Sequence, residues 1–197
     1  MTGNIFKRRE VKNLFEKILN DEATKLSPTG FSASEVFLDD FTTVDFSFRE
    51  QTGSTSRVIT VDNLKARGFV DGLFKGCFNT YKETYPSLSN IKLVDVIVNP
   101  LFRSGTLGLG SESKINVIFR VEIRNHGIVE FESTSNSIMH SSFSATLEAF
   151  QFYINCERTF QKMKLIMDDA KARNRSDIFQ RCLFDLSALT EMNSYEK

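Results

Sequence analysis

Apolar and polar residues alternate most cleanly from Ile115 to Ile123. There Ile115, Val117, Phe119, Val121 and Ile123 are separated by Asn116, Arg120, Glu122 and others. A period of two marks a half-buried strand. Asn125-His126-Gly127 then reads as a hairpin loop, with Gly127 available for a positive φ, and Ile128–Glu132 as the returning strand. Upstream, Ile91–Leu101 reads as a strand, followed by a Gly-rich connection over Ser104–Ser113. The same order is found earlier in the chain. Val36–Phe48 reads as one long strand or two short ones, Gln51–Ser54 as a turn and Arg57–Val61 as a strand, while Ser27-Pro28-Thr29-Gly30 marks Lys25–Ser34 as loop.

Helical periods separate these segments. Val70, Leu73, Phe74, Cys77, Phe78 and Tyr81 follow i, i+3, i+4 spacing, so a helix begins near Phe69 and closes before Pro86. Met139, Phe143, Leu147, Phe150 and Ile154 predict a second helix running to about Ala172. Ile178, Phe179, Cys182, Leu183, Leu186 and Leu189 predict a last one, capped by Ser176. An amphipathic helix over Ile5–Asn20, with Val11, Leu14, Phe15 and Ile18 on one face, is expected to dock on its own domain or on a partner subunit. The expectation is an α+β fold of two tandem βββα-like units, helices packed on sheet, with extra N- and C-terminal helices.

Composition narrows the function. The chain has 197 residues, 25 basic and 25 acidic, so its formal net charge is zero. That argues against broad nucleic-acid binding, which needs a basic surplus. No apolar run is long enough for a membrane span. Three widely spaced cysteines (Cys77, Cys156, Cys182) fit free thiols in a reducing cytoplasm. Two histidines, His126 and His140, lack the neighbours of a catalytic triad. The pairs Asp39-Asp40 and Asp168-Asp169 are neighbours on one element and do not share a face, so they read as solvated positions rather than metal ligands. The abundance of phenylalanine, 19 in all, reads as core and interface filling, because Phe recurs on the apolar stripes. No catalytic residue, metal or cofactor is expected.

Three polar or glycine-rich stretches remain as candidate ligand sites. Gly105-Thr106-Leu107-Gly108-Leu109-Gly110 lacks the Gly-Lys-Ser/Thr of a phosphate loop and precedes a strand, so it reads first as a flexible connection. It can also line a pocket through close backbone approach. Gly68-Phe69-Val70-Asp71-Gly72 opens a helix whose N-terminal N–H groups suit a carboxylate. Ser133-Thr134-Ser135-Asn136-Ser137 opens the other large helix and reads as capping or as a polar rim.

Gly68-Phe69-Val70-Asp71-Gly72 resembles the Gly-Pro-Val-Asp-Ala segment that opens the first helix of the C-terminal regulatory domain of 2-isopropylmalate and citramalate synthases. Leu93-Val94-Asp95-Val96, Gly105-Thr106-Leu107-Gly108, Val117–Glu122 and Ser133-Thr134-Ser135-Asn136-Ser137-Ile138 resemble that domain's following pieces in order and spacing. The resemblance covers about Glu35–Glu157. It divides the chain into an N-terminal helix and loop (1–34), a regulatory-like domain (35–160) and a C-terminal helical tail (161–197). It implies a homodimer and a branched-chain amino acid, or a related small carboxylate, held by Gly68, Phe69, Val70, Asp71, Gly105, Thr106, Leu107, Ser135 and Ser137. It also implies action on a separate catalytic synthase, because the chain has no room for the family's catalytic barrel. Phe69 replaces the family's proline, Ser137 replaces its aspartate, and a side chain as large as Phe69 is expected to fill part of the pocket.

Overall fold

A computed structural model describes residues 2–36, 38, 40–101 and 114–195. It contains helix α1 (Thr2–Leu19), strands β1 (Lys25–Glu35), β2 (Thr42–Thr52) and β3 (Thr55–Ala66), helix α2 (Phe69–Tyr81), strands β4 (Ile91–Leu101), β5 (Lys114–Ile123) and β6 (Gly127–Ser135), and helices α3 (Ile138–Ala172) and α4 (Ser176–Thr190). Two antiparallel sheets, β1-β2-β3 and β4-β5-β6, are each followed by a helix. The fold is α+β, built from two βββα units.

The units match in register, although their residues match only faintly. In the first, Phe31 lies opposite Phe46 and Pro28 opposite Phe48, with a bulge between Pro28 and Gly30. In the second, Val96 lies opposite Phe119 and Leu93 opposite Val121, with a bulge between Leu93 and Asp95. Val44, Phe46 and Phe48 therefore correspond to Val117, Phe119 and Val121, and all six are buried. Each centre strand turns this apolar row to the helices and its polar row outward.

The first strand is a correction to the expected loop at Lys25–Ser34. Ser27-Pro28-Thr29-Gly30 sits inside β1 at the bulge, where an edge strand tolerates a proline. The next strand begins at Thr42 rather than Val36. The division expected at 34/35 falls inside β1, and the one at 160/161 inside α3. At the hairpin between β2 and β3, Gly53 takes a φ of 59°. The β5–β6 turn uses Asn125 at φ 68° as well as Gly127 at φ 96°.

α3 is the central beam. Its 35 residues pack against α1, α2, α4, β1, β5 and β6. Residues Ser141–Thr159 are accordingly buried on most sides, not along one stripe, while Met139 of the expected stripe is 37% exposed. Asn155 ties the chain entering β1 to α3: it accepts from Thr24 N at 2.8 Å and donates to Thr24 O at 2.9 Å. α1 docks on α3, β6 and α4 through buried Val11, Phe15 and Leu19. Its Arg8 guanidinium lies 4.4 Å from the Phe131 ring centre, donates to Glu130 O at 2.7 Å and pairs with Glu148. α4 has no side-chain cap from Ser176; Asp177 instead pairs with Arg175.

Candidate functional site

The six apolar residues of the α2 stripe divide between two faces. Leu73, Cys77 and Tyr81 are buried, whereas Val70, Phe74 and Phe78 are half-buried. Two glycines let α2 approach so closely. A Cβ at Gly72 would lie 2.7 Å from Val44 Cγ2, and one at Gly76 would lie 2.5 Å from Phe46 Cζ. The half-buried residues line a groove of about 660 Å³ whose other wall is Ile91–Val96 of β4. The groove thus lies where the first unit's helix meets the second unit's first strand.

Charges of both signs border an apolar floor. Lys75, Lys92, Asp71 and Asp95 line the groove. Asp95 is paired with Arg120 at 3.2 Å, and Arg120 is also held by Glu130 at 2.8 Å. Asp71 accepts from Arg67 N at 3.2 Å. Lys75 and Lys92 have no ion pair among the described residues. Phe74 backs onto Phe150 of α3, with ring centres 4.9 Å apart.

A second groove, of about 450 Å³, is the pseudo-twofold counterpart of the first. It is lined by Pro28–Ala33 of β1 together with Ser137, Met139, His140 and Phe143 of α3 and its cap. Met139, His140 and Phe143 take the places that Val70, Asp71 and Phe74 hold in α2. This groove carries no charged carboxylate or lysine, and Phe143 and Phe31 fill much of its floor, 6.3 Å apart.

The sequence-derived site residues are therefore distributed over separate places. Val70 and Asp71 line the larger groove, and Gly68 is the N-cap of α2 at φ 91°. Phe69 does not fill that groove; it packs edge-on against Phe31, with ring centres 6.1 Å apart. Ser137 borders the smaller groove and caps α3 by accepting from His140 N. Ser135 hydrogen-bonds to Ser137 O and to the Ser141 hydroxyl, each at 2.8 Å. Gly105, Thr106 and Leu107 lie outside the described residues. Sequence reasoning did not single out Lys75 or Lys92, and it assigned Phe74 and Phe78 to core. The available signal was the width of the α2 stripe, broader than packing on one sheet requires.

The buried thiols and the Tyr81 phenol are held neutral. Burial pushes the Cys77 and Cys156 thiols well above the usual range, the opposite of an activated nucleophile. Burial, then the hydrogen bond to Glu50, raises the Tyr81 phenol likewise. Among the described residues no group of three or more His, Cys, Asp or Glu is placed to hold a metal ion. No helix of the described residues is long and apolar enough to cross a membrane. No protein-family model matches the chain, and no curated protein matches it.

Proposed function

We propose that this chain is a non-catalytic regulatory and dimerisation module that binds a branched-chain amino acid or related small carboxylate in the α2–β4 groove and acts on a separate synthase. The observation that carries the reading is the groove itself: an apolar floor of Val70, Phe74, Leu93 and Val96, bordered by carboxylates and by lysines that have no ion pair among the described residues, at the junction of the two units. A zwitterion with an aliphatic side chain matches that combination of floor and rim. Because one wall belongs to each unit, an occupant favours one arrangement of the units over another by its differential affinity. Exposed Val94, Val98 and Leu101 on β4 continue the apolar surface toward a second copy.

Thermal unfolding against leucine, isoleucine, valine and 2-keto acids tests the ligand. Saturation at ~100 times the dissociation constant adds about 2.7 kcal/mol, or roughly 5–10 °C for this size. A flat panel removes the small-ligand reading. Sedimentation across micromolar concentrations tests the dimer, and a monomer throughout removes it. A second reading, a protein-interaction scaffold without a small ligand, is favoured by one observation: the groove's volume of about 660 Å³ exceeds what a single amino acid fills.

A further inference from the structure

β4 lines the larger groove with six consecutive residues, Ile91 to Val96. Successive side chains of a strand point to opposite faces of its sheet, so a ligand lying over one face meets every second residue. A groove bordered by all six runs along the strand's edge, beside its backbone. β4 is an edge strand: it pairs with β5 on one side, carries a bulge between Leu93 and Asp95 where Val96 N donates to Asp95 Oδ1 at 2.9 Å, and among the described residues no strand pairs with its other side. Across from that edge stand Val70, Phe74 and Phe78, spaced along one face of α2. An edge strand facing a helix across an apolar slot is the geometry that receives an added peptide strand, with backbone hydrogen bonds supplying affinity and alternate side chains supplying specificity.

Charge selects the peptide. Lys75 and Lys92 border the slot without ion pairs among the described residues, and the adjoining hollow, which shares Asp71 and Lys75, adds Lys65 and Arg67 against a single further carboxylate, Asp40. None of these four cations has an ion pair among the described residues. Asp95 on the same wall is neutralised by Arg120. The pseudo-symmetric groove along β1 lacks the lysines and is smaller, so the α2–β4 slot is the better receiver.

We propose that the α2–β4 groove binds an extended acidic-apolar peptide segment of a partner protein by strand addition to β4. This rests on the scaffold reading above and not on the amino-acid reading. The probe is a fluorescein-labelled capped peptide of about nine residues alternating valine with glutamate, long enough to match a strand. Its anisotropy is titrated with the full chain. Two further versions carry N-methyl groups on alternate amides, one set on each edge of the peptide. Binding by about 100 µM is expected, with one N-methylated version weakened roughly tenfold and the other much less, because only one edge meets β4. Lys92→Gln, at an exposed position opposite Glu122, removes the charge without setting like charges across the ladder, and is expected to weaken binding about threefold with a nearly unchanged unfolding midpoint. No binding overturns the proposal. So does equal binding by both N-methylated versions, or equal binding by a valine–lysine peptide. A flat amino-acid panel with peptide binding removes only the small-ligand reading, whereas the reverse pattern removes only this one.

Discussion

Gly76→Ala tests the close seat of α2, on which the groove's helix wall depends. The new methyl would stand 2.5 Å from Phe46 Cζ, 2.7 Å from Cε1 and 3.2 Å from Leu64 Cδ2. Carbon atoms rest at about 3.5–4.0 Å, so the overlap with the ring is about 1 Å. Phe46 has little room to withdraw, since it is 3% exposed and its ring packs against Phe143 at 5.2 Å and Phe48 at 6.2 Å. Overpacking of this kind costs about 1–3 kcal/mol. Alanine in place of glycine inside a helix returns ~1 kcal/mol. The expected net loss is up to about 2 kcal/mol, a fall in Tm of up to roughly 8 °C. Urea unfolding followed by circular dichroism measures it. Asn79→Ala, exposed on the same helix, is the control and should stabilise by a few tenths of a kcal/mol, about the propensity difference alone. In a double-mutant cycle, Phe46→Leu should relieve part of the Gly76→Ala penalty. A Gly76→Ala variant more stable than the parent would refute the close approach.

Other outcomes follow from the packing and the titrating groups. Arg8→Ala removes the guanidinium from Phe131 and its bonds to Glu130 O and Glu148, and should cost about 1–2 kcal/mol, with Arg8→Lys a poor rescue because the planar fork is lost. Ser137→Ala removes the α3 cap and should cost about 1 kcal/mol by denaturant melt, while Ser137→Asp retains the acceptor. Ellman's reagent should leave Cys77 and Cys156 unmodified in the native protein and label both in urea, because each is fully buried. The folded-state pKa of these thiols lies above the unfolded value, so their contribution is complete below about pH 8.5 and is lost as pH rises further. Stability should therefore fall above that pH by up to ~1.4 kcal/mol per pH unit for each thiol, and a flat urea midpoint between pH 8 and 10 would contradict the assignment.

α2, β4 and α3 were legible because each declares itself locally. α2 carries six apolar residues at helical spacing, β4 is bounded by a proline-led turn, and α3 starts behind a serine-rich cap. β1 was not legible. Its Ser-Pro-Thr-Gly segment carries turn chemistry, and what makes it a strand is pairing with β2 and cover from α3. The cap of α4 misread for a similar reason: Ser176 is the right residue type, but the Arg175–Asp177 pair holds that turn. The candidate site was legible at Val70 and Asp71 only. A groove is the space left between α2 and β4, elements ten or more residues apart, and local periodicity carries no information about that spacing.

The bond between Thr24 and Asn155 spans 131 positions of the chain, and the one between Leu26 N and Gln151 Oε1 spans 125. During synthesis the first sheet thus emerges long before the helix that covers its β1 edge. At ~5–20 residues per second the wait is roughly 7–26 s, far longer than a hairpin needs to form. A nascent sheet left uncovered for that interval is exposed to pairing with other chains. Pro28, which has no N–H to offer, interrupts the row of donors on that edge. The residues that hide β1 from a reader of the sequence also guard it on the ribosome.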